Sequence, residues 1–328
     1  MARAPAPRYG IAEWFGKDIT AMAPDERKRY GELAAYQDET GDLSTAPICP
    51  FLSTLIPGAK CNKAGGVCSI RQYDQRPDGS GQTVPDDKVV TVCPSRFLEA
   101  TQDDGQTIFN WIGERMLDEA QPTIVKETPF LRTISDVSQK KDKERKAGRI
   151  DWIVVNPASI GSSELEWCAI ETQALYFSGG KMRPEFDAYV LDPSKIAYPA
   201  GRRRPDYRSS GPKRLSPQLG VKVPVLRTWG KKVVVVVDRY FYNNMNRLAD
   251  AFPHAQSDQE RRDNAEVVWF VVDYNDSLHL VKDVVVYTSL DNSRQALDAT
   301  APLSKADFTR GLKEVIADAS RSNKVFKA

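Results

Sequence analysis

The sequence predicts an α/β fold of the α+β kind: a mixed central sheet flanked by helices, preceded by a small loop-rich lobe that carries four cysteines. Three observations predict it. The run Val233-Val234-Val235-Val236-Val237 is apolar on both faces, as in a central strand covered on two sides. Strand-like runs at 151–156, 165–175, 266–274 and 280–288 are mixed with helical patterns, which calls for a layered core. Residues 49–93 are rich in Gly, Pro and Asp and poor in periodic apolar positions, so that stretch needs support other than a core of its own.

Taken in order, residues 1 to about 45 read as a charged amphipathic lead-in, with Ile11, Trp14 and Phe15 as anchors. Thr107 is a candidate N-cap for a helix in which Ile108, Trp111, Ile112 and the pair Met116-Leu117 recur at helical spacing. The strand candidates follow. Residues 239–250 and 305–319 read as helices. The second begins with the near capping box Ser304-Lys305-Ala306-Asp307 and repeats Phe308, Leu312, Val315, Ile316 and Ala319 on one face. The charge run 140–149 reads as an exposed loop. The division expected is residues 1–100, lead-in and cysteine lobe, and 101–328, the main core.

A chain of 328 residues with 41% hydrophobic and 27% charged residues is an ordinary soluble composition. A net charge of only +2 means that any affinity for polyanions comes from local clustering. No apolar stretch reaches transmembrane length, so no membrane partner is expected. The first residues lack the apolar core of a signal peptide, which points to the cytoplasm and to reduced thiols. The five cysteines then read as metal ligands or buried thiols before disulfides.

The chemistry is concentrated in two runs. Asp151 lies in Ile150-Asp151-Trp152-Ile153, and the later run holds Glu171-Thr172-Gln173. Residues i and i+2 of a strand share a face, so Glu171 and Gln173 project together, and Asp151 joins them if the runs pair. Two carboxylates with a neighbouring oxygen ligand suit Mg²⁺, and such an ion can activate water against a phosphodiester. The pattern Asp…Glu-x-Gln is a variant of the PD-(D/E)XK nuclease motif in which Ile150 stands for Pro and Gln173 for Lys. The glutamine has a cost: it can ligate or orient water but lowers no water pKa by charge, so the task shifts to the metal, a second ion or a remote cation. Glu127 is the candidate third acid, with Asp136 competing. Glu164 and Glu166 fall on the opposite face. The plainer reading is a pair of edge carboxylates solvated at strand ends.

Cys49, Cys61, Cys68 and Cys93 are separated by eleven, six and twenty-four residues, without a CxxC knuckle. They suit a tetrathiolate site for zinc or iron that staples a loop-rich lobe, against the simpler reading of scattered buried thiols. Cys168, inside a strand-like run, reads as a small core residue. Residues 199–232 hold ten basic residues and one acid, Asp206. Arg202, Arg203, Arg204, Arg208, Lys213 and Arg214, interleaved with Tyr207, Ser209, Ser210 and Gly211, suit a loop against a DNA backbone rather than a merely solvated loop. Two histidines in unrelated contexts argue against a Ser-His-Asp hydrolase and an HNH nuclease, and no GxxxxGK[ST] loop is present.

The run Cys49-Pro50-Phe51-Leu52, Cys61, Gly66-Val67-Cys68 and Val92-Cys93-Pro94 resembles the four-cysteine lobe of the NotI-type restriction endonucleases. Ile150-Asp151-Trp152 and Ile170-Glu171-Thr172-Gln173 resemble that family's variant PD-(D/E)XK site, in the family's order. The resemblance covers residues 49–180, with a looser match beyond. It implies a Mg²⁺-dependent type II endonuclease that cuts double-stranded DNA as a homodimer at a GC-rich palindrome, with structural iron or zinc on the four cysteines. It maps Asp151, Glu171 and Gln173 onto the active site, and Glu127 less directly. Two other readings stand beside it: a non-catalytic DNA-binding protein with a metal-stapled lobe, and a structure-specific repair or RNA-directed nuclease.

Overall fold

The charged lead-in folds as sheet and helix. In the computed structural model, which describes residues 7–85, 87–132, 146–248, 250–298 and 303–318, β1 (Arg8–Trp14) turns back into β2 (Lys17–Asp18) and is followed by α1 (Pro24–Thr40). Asp136, Ala319 and residues 140–145 of the charge run lie outside the described residues, and the rest of that run, expected as loop, begins a strand. The anchors Ile11, Trp14 and Phe15 are all buried. The cysteine-bearing stretch adds β3 (Val67–Gln75), β4 (Gly81–Thr83) and β5 (Val90–Thr91), giving an antiparallel sheet in the order β2-β1-β3-β4 with β5 on β3. Trp14 donates its indole N–H to Gly65 O at 2.8 Å, and Phe15 N–H bonds Gly66 O at 2.8 Å. Gly66 has φ +64, and a Cβ there would strike the Phe15 ring, so this close approach requires glycine.

The second sheet is the one the sequence announces. After α2 (Ile108–Leu117), which Thr107 caps through a capping box with Asn110, come β6 (Thr123–Arg132), β7 (Lys146–Val155), β8 (Trp167–Thr172) and the short β9 (Tyr176–Ser178). Then follow α3 (Arg183–Leu191), β10 (Arg204–Asp206), which pairs only with β9, α4 (Tyr207–Ser210) and α5 (Ser216–Thr228). The chain continues through β11 (Val233–Asp238), α6 (Arg239–Asn243), α7 (Asp258–Asn264), β12 (Val267–Tyr274), β13 (Leu280–Thr288) and α8 (Leu290–Asp298). The sheet order is β13-β12-β11-β8-β7-β6, with β8, β11 and β12 parallel and the outer pairs antiparallel. This is the mixed sheet flanked by helices that the pattern predicts. Every residue of Val233–Asp238 is buried, as expected for a strand with both faces covered.

Aromatic contacts show which helix covers which face. From α2, Phe109 meets Trp152 at 5.1 Å and Trp111 meets Phe270 at 4.8 Å. On the other face Trp269 donates to Ser293 Oγ of α8 at 3.0 Å. One hydrophobic cluster runs from Ile11 to Leu297. Residues 299–328 form a separate unit, in which Ser304 caps α9 (Lys305–Ala317) by accepting from Asp307 N–H at 3.1 Å.

Candidate active site

Strand register lines up the acids. Lys126 pairs with Trp152 and Thr128 with Ile150, so Glu127 lies opposite Asp151. Trp152 pairs with Ile170, and one step further Asp151 faces Glu171, which in turn pairs with Val235. Residues opposite one another on neighbouring strands share a face. Glu127, Asp151 and Glu171 therefore form one row across β6, β7 and β8, and Gln173 follows on the same side.

Each member is held differently. Asp151 Oδ2 accepts the Thr172 backbone N–H at 2.9 Å and its hydroxyl at 3.2 Å, which fixes the carboxylate where β7 and β8 part. Glu171 is 2% exposed, and Lys222 Nζ of α5 sits 2.5 Å from its Oε1. Burial, and then the negative charge of Asp151, push the Glu171 carboxyl up to about 7, against the opposing pull of Lys222. A buried carboxyl whose proton affinity is raised by burial and by a neighbouring carboxylate is a place that a cation would relieve. Gln173 donates Nε2 to Ala174 O at 2.5 Å, and its carbonyl oxygen has no partner among the described residues. Glu127 has φ +52 and an exposed side chain paired with Arg149 at 2.8 Å and Lys126 at 3.3 Å. A non-glycine residue in that region stores about 1–3 kcal/mol, and such strain clusters at functional sites.

The row opens into a cleft of about 600 Å³ lined by Glu127, Asp151, Gln173, Arg214 and, on the facing wall, Lys63 and Cys93. Arg214 stacks on Tyr176 at 3.9 Å from the ring centre and donates to its hydroxyl at 2.5 Å. Arg202, Arg204, Arg208 and Lys213 are exposed. Arg203 is not: it is 2% exposed, ion-paired with buried Glu185 and bonded to Lys181 O. The structure thus brings Arg214 to the acids and ties Arg203 inside the protein. Most of residues 207–228, which the composition suggests is a loop, are helical. Pro217 sits in the first turn of α5 and Pro224 inside it, and the buried face Leu219, Val223 and Leu226 holds the helix against the sheet.

None of the five cysteines is in a disulfide, and all are buried. Cys49 N–H bonds Ala59 O and Cys61 N–H bonds Pro47 O, each at 2.8 Å, around an Ile48–Lys60 bridge. Cys68 O accepts from Val92 N–H at 3.0 Å and Cys93 N–H at 3.1 Å. The four thus come as two neighbouring pairs. Leu52 N–H points at Cys49 Sγ at 3.4 Å. Burial raises Cys61 to about 11. Lys63, whose ammonium is buried beside Cys93, Cys68 and Cys61, donates to Val92 O at 2.5 Å. Among the described residues no group of three or more His, Cys, Asp or Glu is arranged to hold a metal ion. Cys168 pairs with Val154 in β7 and is a core residue, as its place in the strand predicts.

Lys222, which bonds Glu171, stands out in the sequence only as one of the ten basic residues of 199–232. The signal was present: Leu215, Leu219, Lys222, Val223 and Leu226 recur at helical spacing, and a lysine on that face is directed inward. It was masked by two prolines and Gly220 in the same stretch.

A family model described as restriction endonuclease NotI matches residues 36–283, most of the chain. No curated protein matches the sequence. The chain belongs to the NotI restriction endonuclease family, and so to the site-specific DNA endonucleases, which are hydrolases.

Proposed function

We propose that this NotI-family endonuclease is a Mg²⁺-dependent type II enzyme that hydrolyses double-stranded DNA at a palindromic site. The observation that carries the reading is the alignment of Glu127, Asp151 and Glu171 on three adjacent strands, with Glu127 and Asp151 lining a cleft that Arg214 also lines and Glu171 buried beside Asp151. The donor set fits the ion: Mg²⁺ is held by one or two carboxylates and completes its shell with water and substrate phosphate. Asp151 and Glu171 would be those carboxylates, and the ion would supply positive charge against the charge that develops on the phosphate. Thr172 fixes Asp151 before substrate arrives, so less ordering is needed at the moment of reaction. Gln173 offers a carbonyl to orient the attacking water. Arg214, preorganised by Tyr176, meets a backbone phosphate at the rim, and Arg208 and Lys213 extend the basic track. Hydrolysis forms a bond from water to phosphorus and releases the 3′ oxygen.

Reading both strands of a palindrome calls for two copies related by a two-fold axis, so the working form is a homodimer. The thiol pairs 49/61 and 68/93, buried and carried on hydrogen-bonded backbone segments, would be the donors for a structural zinc or iron, since thiolates prefer such ions. Residues 1–100 would form the lobe that it staples. No helix among the described residues is long and apolar enough to cross a membrane, and we place the enzyme in the cytoplasm. The test is digestion of unmodified plasmid and genomic DNA with and without Mg²⁺. Discrete fragments that vanish in Asp151→Ala are expected, and sequencing their ends gives the site. Absence of cutting on any unmodified DNA would refute the reading.

A further inference from the structure

Position 173 carries an uncharged amide where a strand lysine would bring a cation to the reacting phosphate. A cation nevertheless reaches the row from another element. Lys222, on the buried face of α5, is 6% exposed and places Nζ 2.5 Å from Glu171 Oε1. The other cations near the cleft are engaged elsewhere: Lys126 and Arg149 with Glu127, Arg214 with Tyr176, Lys63 with Val92 O. Among the described residues, Lys222 is the one cation hydrogen-bonded to the Asp151–Glu171 pair, whose other partner is Thr172.

Burying an ammonium in a hydrophobic helix face is costly and is no general route to stability, because a well-packed apolar pair does as well. An ammonium is also a compact point donor: it takes one oxygen, whereas a guanidinium fork would claim both.

We propose that Lys222 is a positioning residue for cleavage. Its ammonium commits Glu171 Oε1, turns Oε2 to the metal, and supplies from the helix the positive charge that the strand lacks at Gln173. This rests on the Mg²⁺-nuclease reading above. Two cations then compete for one carboxylate, so Lys222 weakens metal binding while holding the ligand in the orientation that turnover needs.

The experiment compares wild type with Lys222→Met and with the double variant Lys222→Met/Gln173→Lys. The second returns a cation to the same face, two residues from Glu171. Cleavage is followed under single-turnover conditions, Mn²⁺ binding without DNA by electron paramagnetic resonance, and folding by circular dichroism. Lys222→Met should cut at least about 100-fold more slowly with DNA affinity changed less than about threefold, and should bind Mn²⁺ more tightly. The double variant should recover at least about tenfold of the lost rate. Those opposite movements of metal affinity and rate do not follow from a structural role. Unchanged cleavage in Lys222→Met overturns the proposal. So does weaker Mn²⁺ binding, absence of rescue by Gln173→Lys, or failure of both variants to fold, which would make the pair structural. A wild type that cuts no DNA refutes the nuclease reading itself, a result distinct from all of these.

Discussion

Arg96 is the most consequential single side chain outside the carboxylate row, and replacing it with methionine tests how the cleft wall is held. Its Nε lies 2.9 and 2.8 Å from the two oxygens of Glu13, and Nη1 lies 2.7 Å from Glu99. Nη2 donates to Leu278 O, and the guanidinium lies between Phe51 and Tyr274 at 4.5 and 4.6 Å from the ring centres. The Arg96 side chain is 1% exposed and that of Glu13 5%, so the pair is dry. Removing one partner of a buried pair costs about 3–5 kcal/mol, because the other charge stays behind. The orphaned Leu278 carbonyl adds about 1 kcal/mol, and the apolar packing of methionine returns a similar amount. Arg96→Met should therefore lose about 4 kcal/mol, a large part of a typical 5–15 kcal/mol stability. Urea unfolding followed by tryptophan fluorescence measures it. Glu13→Gln keeps an acceptor for Arg96 and for Ser69, whose hydroxyl bonds Glu13 at 2.5 Å, and should lose about 2 kcal/mol. The double variant should fall short of the sum by at least about 1 kcal/mol, since no unpaired carboxylate remains at 13. A loss under about 1 kcal/mol in Arg96→Met, or strict additivity, would refute the account of a charge network that clamps the wall Cys93–Ser95 to β1.

Four further outcomes follow. Asp151→Asn should lower cleavage at least about 10²-fold while stability stays within about 1 kcal/mol of wild type, because its charge opposes ionisation of Glu171; a large unfolding penalty counts against that. Asp238 is buried, accepts Thr91 and Phe241 N–H groups at 2.7 Å each, and burial raises its carboxyl to about 6 from 3.8. The folded state then holds this proton more tightly than the unfolded chain, so the contribution is full below about pH 4 and declines by about 3 kcal/mol as pH rises through 6; Asp238→Asn should flatten that part of the stability profile. Arg203→Ala should destabilise by about 3–5 kcal/mol and leave the salt slope of DNA binding alone, whereas Arg208→Ala/Lys213→Ala should keep stability and reduce the slope by about 2. Purified Cys61→Ser/Cys93→Ser protein should lose the zinc or iron that elemental analysis finds in wild type, and equal metal in both would remove the tetrathiolate proposal.

The central sheet was legible because each strand states its environment locally. Val233–Asp238, Val267–Tyr274 and Leu280–Thr288 fall within a residue or so of their apolar runs, and two-sided burial is written in the consecutive valines. Helix 239–250 was overextended: α6 stops at Asn243, where Asn-Asn interrupts the chain before an apolar stripe can form. In the lead-in, β1 was hidden because Arg8–Trp14 pairs with β3, more than fifty residues away, and a non-local partner leaves little periodic trace. In the candidate site, the strand placement was legible where it depends on period-two geometry, as for Asp151 and Glu171. The site was illegible at Lys222 and Arg203, whose partners are 51 and 18 residues distant. A run of basic residues reads as one patch, yet the fold sends Arg214 to the cleft, Lys222 to the core and Arg203 to Glu185.

The same cleft joins two kinds of ligand chemistry that do not compete. Its floor carries carboxylate and amide oxygens, and its far wall ends on thiols, with Lys63 and Cys93 lining the cleft directly. Hard oxygen donors select Mg²⁺ and soft thiolates select zinc or iron, so under the proposal above each ion would be held by its own donors even at short range. The wall is continuous with the floor through backbone bonds. Cys93 N–H and Val92 N–H bond Cys68 O, Lys63 Nζ bonds Val92 O, and Leu175 N–H, two residues beyond Gln173, bonds Thr91 O at 2.9 Å. Hydrogen bonds rather than side-chain contacts alone therefore link the cysteine-bearing segment to the backbone just beyond Gln173. The cysteine-bearing segment thus forms one wall of the cleft and is hydrogen-bonded to the chain that carries its carboxylate side.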